Sequence, residues 1–195
     1  AVNKGSRYEC LGDDFNQALA EMKEDGAYET IMNKWFGSSD SSESTDYSSR
    51  LNLTGSVTAK ATPVKSSYTI VADSSFAPFE YQDESGKYVG IDMELIKAIA
   101  EQQGFTITIQ NPGFDAALNA VQAGQADAVI AGMSITDARK EIFDFSDAYY
   151  SSNILLAVKN GSDIASYEDL KGKTVGAKNG TASYTFLESN KDKYG

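Results

Sequence analysis

The first 37 residues show the hydrophobic spacing of a helix, with apolar side chains at positions i, i+3, i+4 and i+7. The residues in this row are Phe15, Ala18, Leu19 and Met22. Gly26 is a typical helix stop, and a second helical pattern, "AYETIMNKWF", follows it and ends before Gly37. We therefore expect a pair of helices over residues 11–36, broken at Gly26.

This pattern stops after residue 37, where "SSDSSESTDYSS" at 38–49 has almost no apolar side chain to bury. Sequence with little hydrophobic periodicity continues to about residue 67. We predict that residues 38–67 form a linker between two structured regions.

From residue 68 the pattern changes to short apolar strands that alternate with helical segments. The predicted strands are 68–72, 105–110 and 127–132, and the predicted helices are 92–104, with Asp92 as N-cap, and 114–124. Strands separated by helices of this length form βαβ units. The chain is therefore predicted to have an α/β fold, with a mostly parallel sheet flanked by helices.

A second, shorter pattern occupies the end of the chain. It consists of a helical turn at 166–170, a strand at 173–177 and a helix from about residue 182. One strand and one helix bury too little surface for a core of their own. We expect an incomplete second lobe that continues beyond residue 195.

Composition narrows the possible partners and chemistry. The 195 residues carry a net charge of −11 with 17 basic side chains, which argues against nucleic acid and anionic membrane surfaces as partners. The longest apolar stretches, such as "NILLAV", fall far short of the roughly 20 residues of a membrane-spanning helix. His is absent and Cys10 is the single cysteine, so we expect no Cys/His metal site, no His-based catalytic triad and no cofactor.

A cluster of polar residues follows the third predicted strand, in "AGMSITDAR". Ligands of open α/β sheets bind at the carboxyl ends of strands, so the hydroxyls of Ser134 and Thr136 and the guanidinium of Arg139 are candidates to bind a carboxylate. The Gly132 carbonyl would accept a hydrogen bond from an ammonium, and the predicted ligand is a free amino acid. The alternative is that Thr136 only caps a short helix at 137–142 and that Arg139 is solvated.

Three more residues near strand ends belong to this candidate site. Asp73 directly follows the first strand, and the rings of Phe76 and Phe114 are placed to contact the methylene groups of a ligand. Core packing is the alternative for both rings, and it is the interpretation that we favour for Phe79.

Four segments, "VADSSFAPFEY", "YVGIDMELIKAIA", "ADAVIAGMSITDARKEIFDFSDAYY" and "LKGKTVGAKNGTAS", follow one another in the order and spacing of a known family. Residues 68–195 resemble the start of a family 3 extracytoplasmic solute-binding protein, a polar amino-acid receptor of ABC importers. Among subtypes, they are most similar to glutamine-binding domains fused in tandem to a glutamine permease. The resemblance implies a periplasmic-binding-protein-like lobe at 68–153 and the start of a second lobe at 154–195, with hinge closure around the ligand.

Residues 1–37, including the closing "KWFG", resemble the opposite end of the same family. A family C-terminus followed by a linker and a family N-terminus implies the junction of two tandem binding domains. Residues 1–37 would be the C-terminal helices of the upstream domain. Because such helices pack on the first lobe in this family, we expect residues 1–37 to pack on the lobe that follows, which the linker is long enough to allow.

The resemblance also assigns ligand-binding residues, namely Asp73, Phe76, Phe114, Ala131, Gly132, Ser134, Arg139, Lys178 and Ala182. Arg139, Ser134 and the Ala182 N–H would bind the α-carboxylate, and the Gly132 carbonyl would accept from the α-ammonium. A neutral amide on the ligand can donate to Asp73 and accept from Lys178. Glutamine is therefore the first predicted ligand and glutamate the second.

The partners implied by the resemblance are the transmembrane domain of an ABC permease and its ATPase. The binding domains would be extracytoplasmic and tethered to the cell membrane through the fused permease. The same fold also serves as the sensory domain of receptor kinases and as the ligand core of glutamate-gated channels. A periplasmic dehydratase would need a general acid or base from Asp73, Lys178 or Glu80, and we favour a role that is not enzymatic.

An inactive, truncated fragment is the remaining alternative. In the family, the acidic residue that pairs with the α-ammonium comes from a part of the second lobe that this chain does not include. The lost charge-assisted bond is worth about 1.5–3 kcal/mol. We therefore expect this chain alone to bind its ligand weakly or not at all.

Overall fold

The structure is a computed structural model that describes residues 1–37 and 65–194. The chain divides into two units, Ala1–Tyr149 and Tyr150–Gly195. The predicted linker over 38–67 lies outside the described residues, apart from 65–67.

The first unit alternates short strands with helices. In chain order its elements are β1 (Val2–Asn3), α1 (Cys10–Asp25), α2 (Ala27–Phe36), β2 (Ser67–Val71), β3 (Ser75–Phe76), β4 (Glu80–Gln82), β5 (Tyr88–Val89), α3 (Ile91–Gln103), β6 (Thr106–Gln110), α4 (Phe114–Gln122), β7 (Ala128–Val129), α5 (Asp137–Lys140) and β8 (Phe143–Asp144). The central sheet is parallel, in the order β6–β2–β7, and an antiparallel sheet has the order β3–β4–β5. The predicted α/β class with a parallel sheet is confirmed.

Strand β2 lies between its two neighbours, with Ile70 opposite Ile109 on one side and Ala128 on the other. Its apolar residues are buried because helices cover a parallel sheet on both faces. Val71, the last residue of β2, pairs with Val129, the last residue of β7. The carboxyl ends of the two strands therefore meet at one edge of the sheet, and the segments that follow them lie side by side.

The N-terminal segment packs on this unit. Helices α1 and α2 contact α3, and β1 pairs antiparallel with β8, with Val2 opposite Asp144. The apolar row predicted for α1 is buried in the same hydrophobic core as Ile96 and Ile99 of α3. Gly26 ends α1 in the left-handed conformation, at φ 84°, which a glycine adopts without strain. That residues 1–37 derive from an upstream binding domain stays a prediction.

The prediction that Asp92 is the N-cap of α3 is wrong. The N-cap is Gly90, at φ 132°, where an added Cβ would lie 2.1 Å from the Phe79 carbonyl oxygen. Glycine is required there because the backbone passes too close for any side chain. Asp92 instead lies in the first turn of the helix and is buried.

Strand β7 is shorter than the predicted 127–132. The Ile130 N–H still donates to the Val71 carbonyl, at 3.0 Å, but Gly132 at φ 50° turns the chain away from the sheet. Helix α5 likewise ends at Lys140 and not at residue 142.

The second unit has a 3-10 turn at Glu168–Leu170 and a helix α6 at Ala182–Tyr194, as predicted. The rings of Tyr167, Phe186 and Tyr194 pack against one another. The predicted strand at 173–177 is not formed in the described part of this unit. A strand needs a neighbour to pair its N–H and C=O groups, and the described residues of the unit supply none.

None of the helices in the described ranges combines the length and the apolar character needed to cross a membrane.

We predict that Met22→Ala lowers the free energy of unfolding by about 2–5 kcal/mol, because a fully buried side chain is replaced by a cavity. Urea unfolding followed by circular dichroism measures this change. The matched control is Glu24→Ala, an exposed position on the same helix, with an expected change within about 0.5 kcal/mol. Equal stabilities of the two variants would show that α1 does not pack on the unit in solution.

Candidate functional site

The candidate site lies at the edge of the sheet where β2 and β7 end. Asp73 and Phe76 follow β2, while Ala131, Gly132, Ser134 and Arg139 follow β7. Phe114 is the first residue of α4. Lys178 and Ala182 belong to the second unit, where Ala182 begins α6.

Gly132 is held from one side by hydrogen bonds and from the other by aromatic rings. Its N–H donates to Asp92 Oδ2, at 2.6 Å, and to the Tyr149 hydroxyl, at 3.1 Å. A Cβ at this position would lie 2.7 Å from Cε1 of Phe76 and 3.2 Å from Cγ of Phe79. Position 132 therefore requires glycine, both for its positive φ and for the approach of the rings.

The rings of Phe76 and Phe79 stack with their centres 5.2 Å apart and 20° between their planes. Phe79 is buried in the core, as predicted, whereas Phe76 is 41% exposed. Phe79 supports the Phe76 ring from the protein side. Phe76 is thus a partly exposed ring at the edge of the sheet, and its contact with a ligand stays a prediction.

Arg139 makes three contacts with residues of the first unit. Its Nη1 donates to the Ser134 carbonyl at 2.8 Å, and its Cζ lies 5.4 Å from the centre of the Phe114 ring. The Arg139 N–H donates to Thr136 Oγ1 at 3.3 Å, which confirms Thr136 as the N-cap of α5. Partial burial lowers the pKa of Arg139, but a guanidinium stays charged at neutral pH. The arrangement presents a positioned cation, as carboxylate binding requires.

Phe114 is buried next to Arg139. It is 6% exposed, belongs to a hydrophobic cluster with Val71 and Val121, and carries the Arg139 guanidinium over its ring. This position supports Arg139 directly. Contact of Phe114 with a ligand stays a prediction.

Asp73 is 3% exposed at the end of β2. Its Oδ1 accepts from the Ser74 N–H at 2.7 Å, and its backbone carbonyl accepts from Asn111 Nδ2 at 2.8 Å. These bonds fix the Asp73 carboxylate at the sheet edge. Within residues 1–37 and 65–194, no group of three or more His, Cys, Asp or Glu side chains is placed to hold a metal ion.

A pair of acids that the sequence pattern does not indicate, Glu80 and Asp92, is buried next to Gly132. Burial, together with the nearby carboxylates of Asp92 and Asp73, raises the pKa of Glu80 to about 10. Burial also raises the pKa of Asp92 to about 6, against the opposing effect of the bonds from Tyr149 and Gly132. At neutral pH, Glu80 is therefore protonated and Asp92 ionised. The available sequence signal was a charged residue between two apolar ones, Ile91 and Met93, in the first turn of the helix.

Comparison with known proteins supports the resemblance from the sequence. The model of a family described as bacterial extracellular solute-binding proteins, family 3, matches residues 68–193. The arginine-binding extracellular protein ArtP of Bacillus subtilis (strain 168) is 38% identical over 131 residues, which is 67% of this chain and 51% of ArtP. This chain thus spans about half the length of the curated relatives it matches.

Solved structures give similar matches. Substrate binding domain 2 of Lactococcus lactis GlnP, in an open conformation, is 52% identical with a TM-score of 0.48, and the match covers 69% of this chain and 59% of that one. An ancestral arginine-binding protein bound to arginine is 40% identical, with a TM-score of 0.60 over 67% of this chain and 58% of that one. An ancestral arginine-binding protein bound to glutamine is also 40% identical, with a TM-score of 0.58 over 64% of this chain and 56% of that one.

The buried Glu80 predicts how stability depends on pH. Its folded pKa is raised, so the stabilisation is complete below the ordinary pKa of about 4.5 and is lost as the pH rises toward 10. Between pH 7 and pH 9 the folded chain keeps a proton that the unfolded chain has released. This group alone then lowers the free energy of unfolding by about 1.4 kcal/mol per pH unit.

We expect Glu80→Gln to remove this dependence, so that the melting temperature of the variant rises relative to that of the wild type as the pH increases. Scanning calorimetry from pH 7 to pH 9 measures the difference. Glu84→Gln, at an exposed position in the neighbouring turn, is the control and should follow the wild type. A constant difference between Glu80→Gln and the wild type would contradict a protonated Glu80.

Proposed function

Because this chain belongs to the bacterial extracellular solute-binding proteins, family 3, we propose that its first unit forms part of a binding site for a free polar amino acid. The observation that carries the proposal is the Arg139 guanidinium, which the Ser134 carbonyl and the Phe114 ring hold at the carboxyl edge of the parallel sheet. A planar, charged fork at this edge binds an α-carboxylate through two parallel hydrogen bonds. The Gly132 carbonyl then accepts from the α-ammonium.

The ligand's side chain extends along the exposed face of Phe76 toward Asp73. The buried Asp73 carboxylate accepts from an amide and repels a second carboxylate, which favours glutamine over glutamate. Lys178 and Ala182 complete the set of ligand contacts in this proposal. The solved structures of ancestral arginine-binding proteins, one bound to arginine and one to glutamine, support a site of this kind for polar amino acids.

In the complete protein, the binding domain delivers its ligand to the transmembrane domain of an ABC permease, whose ATPase drives uptake. The domain is extracytoplasmic and tethered through a fused permease, in tandem with an upstream copy from which residues 1–37 derive. Packing of α1 and α2 on α3 supports the part of this proposal in which residues 1–37 pack on the lobe that follows them, because the segment shares a core with residues that follow position 65.

The proposed role is binding without catalysis. Glu80, one of the candidates for a general acid, is 0% exposed and faces the buried carboxylate of Asp92. A general acid must reach the proton-accepting atom of a substrate, and Glu80 is enclosed by protein.

We predict that Arg139→Met weakens glutamine binding by about 10- to 100-fold, because the ligand carboxylate loses a charge-assisted pair of hydrogen bonds. Calorimetry on the full-length protein that contains this chain measures the dissociation constant, with the 195-residue chain titrated in parallel. Lys140→Met removes the adjacent, exposed cation and is the matched control. Equal losses in both variants would mean that net charge and not the Arg139 guanidinium binds the ligand.

For Asp73→Asn, we expect the ratio of the glutamate to the glutamine dissociation constant to fall toward one. The substitution removes the charge that repels glutamate, and the amide oxygen can still accept from the Ser74 N–H. Titration with both amino acids gives the ratio. Asp115→Asn, at an exposed position on α4, is the control, and an unchanged ratio for Asp73→Asn would refute the role of Asp73.

A further inference from the structure

Tyr149 is the last residue of the first unit, and its hydroxyl contacts the backbone of the candidate site at Gly132. Its hydroxyl donates to Asp92 Oδ1 at 2.8 Å and accepts from the Gly132 N–H at 3.1 Å. Burial and the charge of Asp92 raise the pKa of the Tyr149 phenol well above its ordinary value, so it stays protonated and remains a donor. The two side chains together hold the Gly132 N–H in one direction.

The position of this N–H determines where two carbonyl groups point. The Ala131 carbonyl belongs to the same trans peptide as the Gly132 N–H, so it points in the opposite direction, away from Asp92 and Tyr149. The next carbonyl, that of Gly132, is separated from this peptide only by the two backbone rotations of Gly132, of which φ is 50°. A glycine without support rotates easily, so the backbone needs an external anchor to keep these oxygens in place.

Tyr149 is itself held by the N-terminal segment. The Tyr28 hydroxyl on α2 donates to the Tyr149 carbonyl at 2.5 Å, and the Phe15 ring on α1 packs against the Tyr149 ring, with centres 6.1 Å apart. Asn16 Oδ1 accepts from the Asp147 N–H at 2.7 Å, two residues earlier. These contacts fix both the backbone and the ring of Tyr149.

We propose that Tyr149 is a positioning residue for ligand binding, which transmits the docking of helices α1 and α2 to the backbone carbonyls of Ala131 and Gly132. The inference rests on the proposed function, because it assumes that these carbonyls accept from a ligand ammonium. The affinity for the ligand therefore depends on residues that do not touch it. Tyr28 and Phe15 act on the site through Tyr149.

The test is Tyr149→Phe, which keeps the ring packed against Phe15 and removes only the hydroxyl. Glutamine, glutamate, arginine and histidine are titrated against the full-length protein, and the amino acid that binds the wild type best serves as the probe. We expect about tenfold weaker binding in the variant. Tyr28→Phe should weaken binding in the same direction by a smaller factor, and Tyr88→Phe, on β5, is the matched control that should bind like the wild type.

The second measurement is the amide proton shift of Gly132, by NMR on the 195-residue chain without ligand. Loss of the Tyr149 hydroxyl should move this resonance upfield, whereas Tyr88→Phe should leave it in place. A purely structural role would change the melting temperature without a selective change at Gly132.

The outcomes separate the inference from the proposed function. Weaker binding by Tyr149→Phe together with a shifted Gly132 resonance supports the inference. If the wild type binds one of the four amino acids and Tyr149→Phe binds it equally well, the inference is overturned and the proposed function stands. If the wild type binds none of them, the proposed function fails and the inference fails with it.

Discussion

The hydrogen bonds of the buried Asp92 carboxylate are the constraint on which the first unit depends. A carboxylate removed from water is costly unless donors pair with its oxygens. Oδ1 accepts from Tyr149 and Oδ2 from the Gly132 N–H, at 2.8 and 2.6 Å. These two bonds join the start of α3, the turn after β7 and the last residue of the unit. The three parts are coupled energetically, because displacing Tyr149 or Gly132 leaves one oxygen of the buried carboxylate without its donor.

The same donors decide which of two buried acids is ionised. Two adjacent carboxylates in a dry environment cannot both carry a charge at low cost. Asp92 receives two hydrogen bonds from donors and keeps its charge, so burial leaves Glu80 protonated. The negative charge of Asp92 thus lies behind Gly132, while the Arg139 cation lies beyond the short turn that follows. For the proposed amino-acid ligand, this separation favours one orientation, with the ammonium toward Gly132 and the carboxylate toward Arg139.

The N-terminal segment, residues 1–37, contacts both Tyr149 and the stacked rings of Phe76 and Phe79 through its helices. Tyr28 and Phe15 hold Tyr149, and the Phe36 ring packs edge-on against Phe79, with centres 6.3 Å apart, beneath the Phe76 ring. The ion pair between Lys34 and Glu94 adds little, because it is partly exposed. Ring contacts and the bond to Tyr149 therefore connect the segment to the candidate site, and surface charge contributes little.

The sequence rules succeeded where the determining contacts are local. Thr136 caps α5 through a bond to a residue three positions away, and the apolar row of α1 follows from helical periodicity. Asp92 was misassigned because its hydrogen-bond partners are 40 and 57 residues away along the chain. An Asp at the start of a helix gives the same sequence pattern whether its side chain caps the helix backbone or is buried in the core. Phe114 has a similar ambiguity, since an apolar residue at the start of a helix fits either a core or a ligand contact. The sequence shows which titratable side chains lie near a sheet edge. Burial determines which of these side chains keep a proton. Burial in turn depends on strands and helices that are distant in sequence and cover the side chains in the fold.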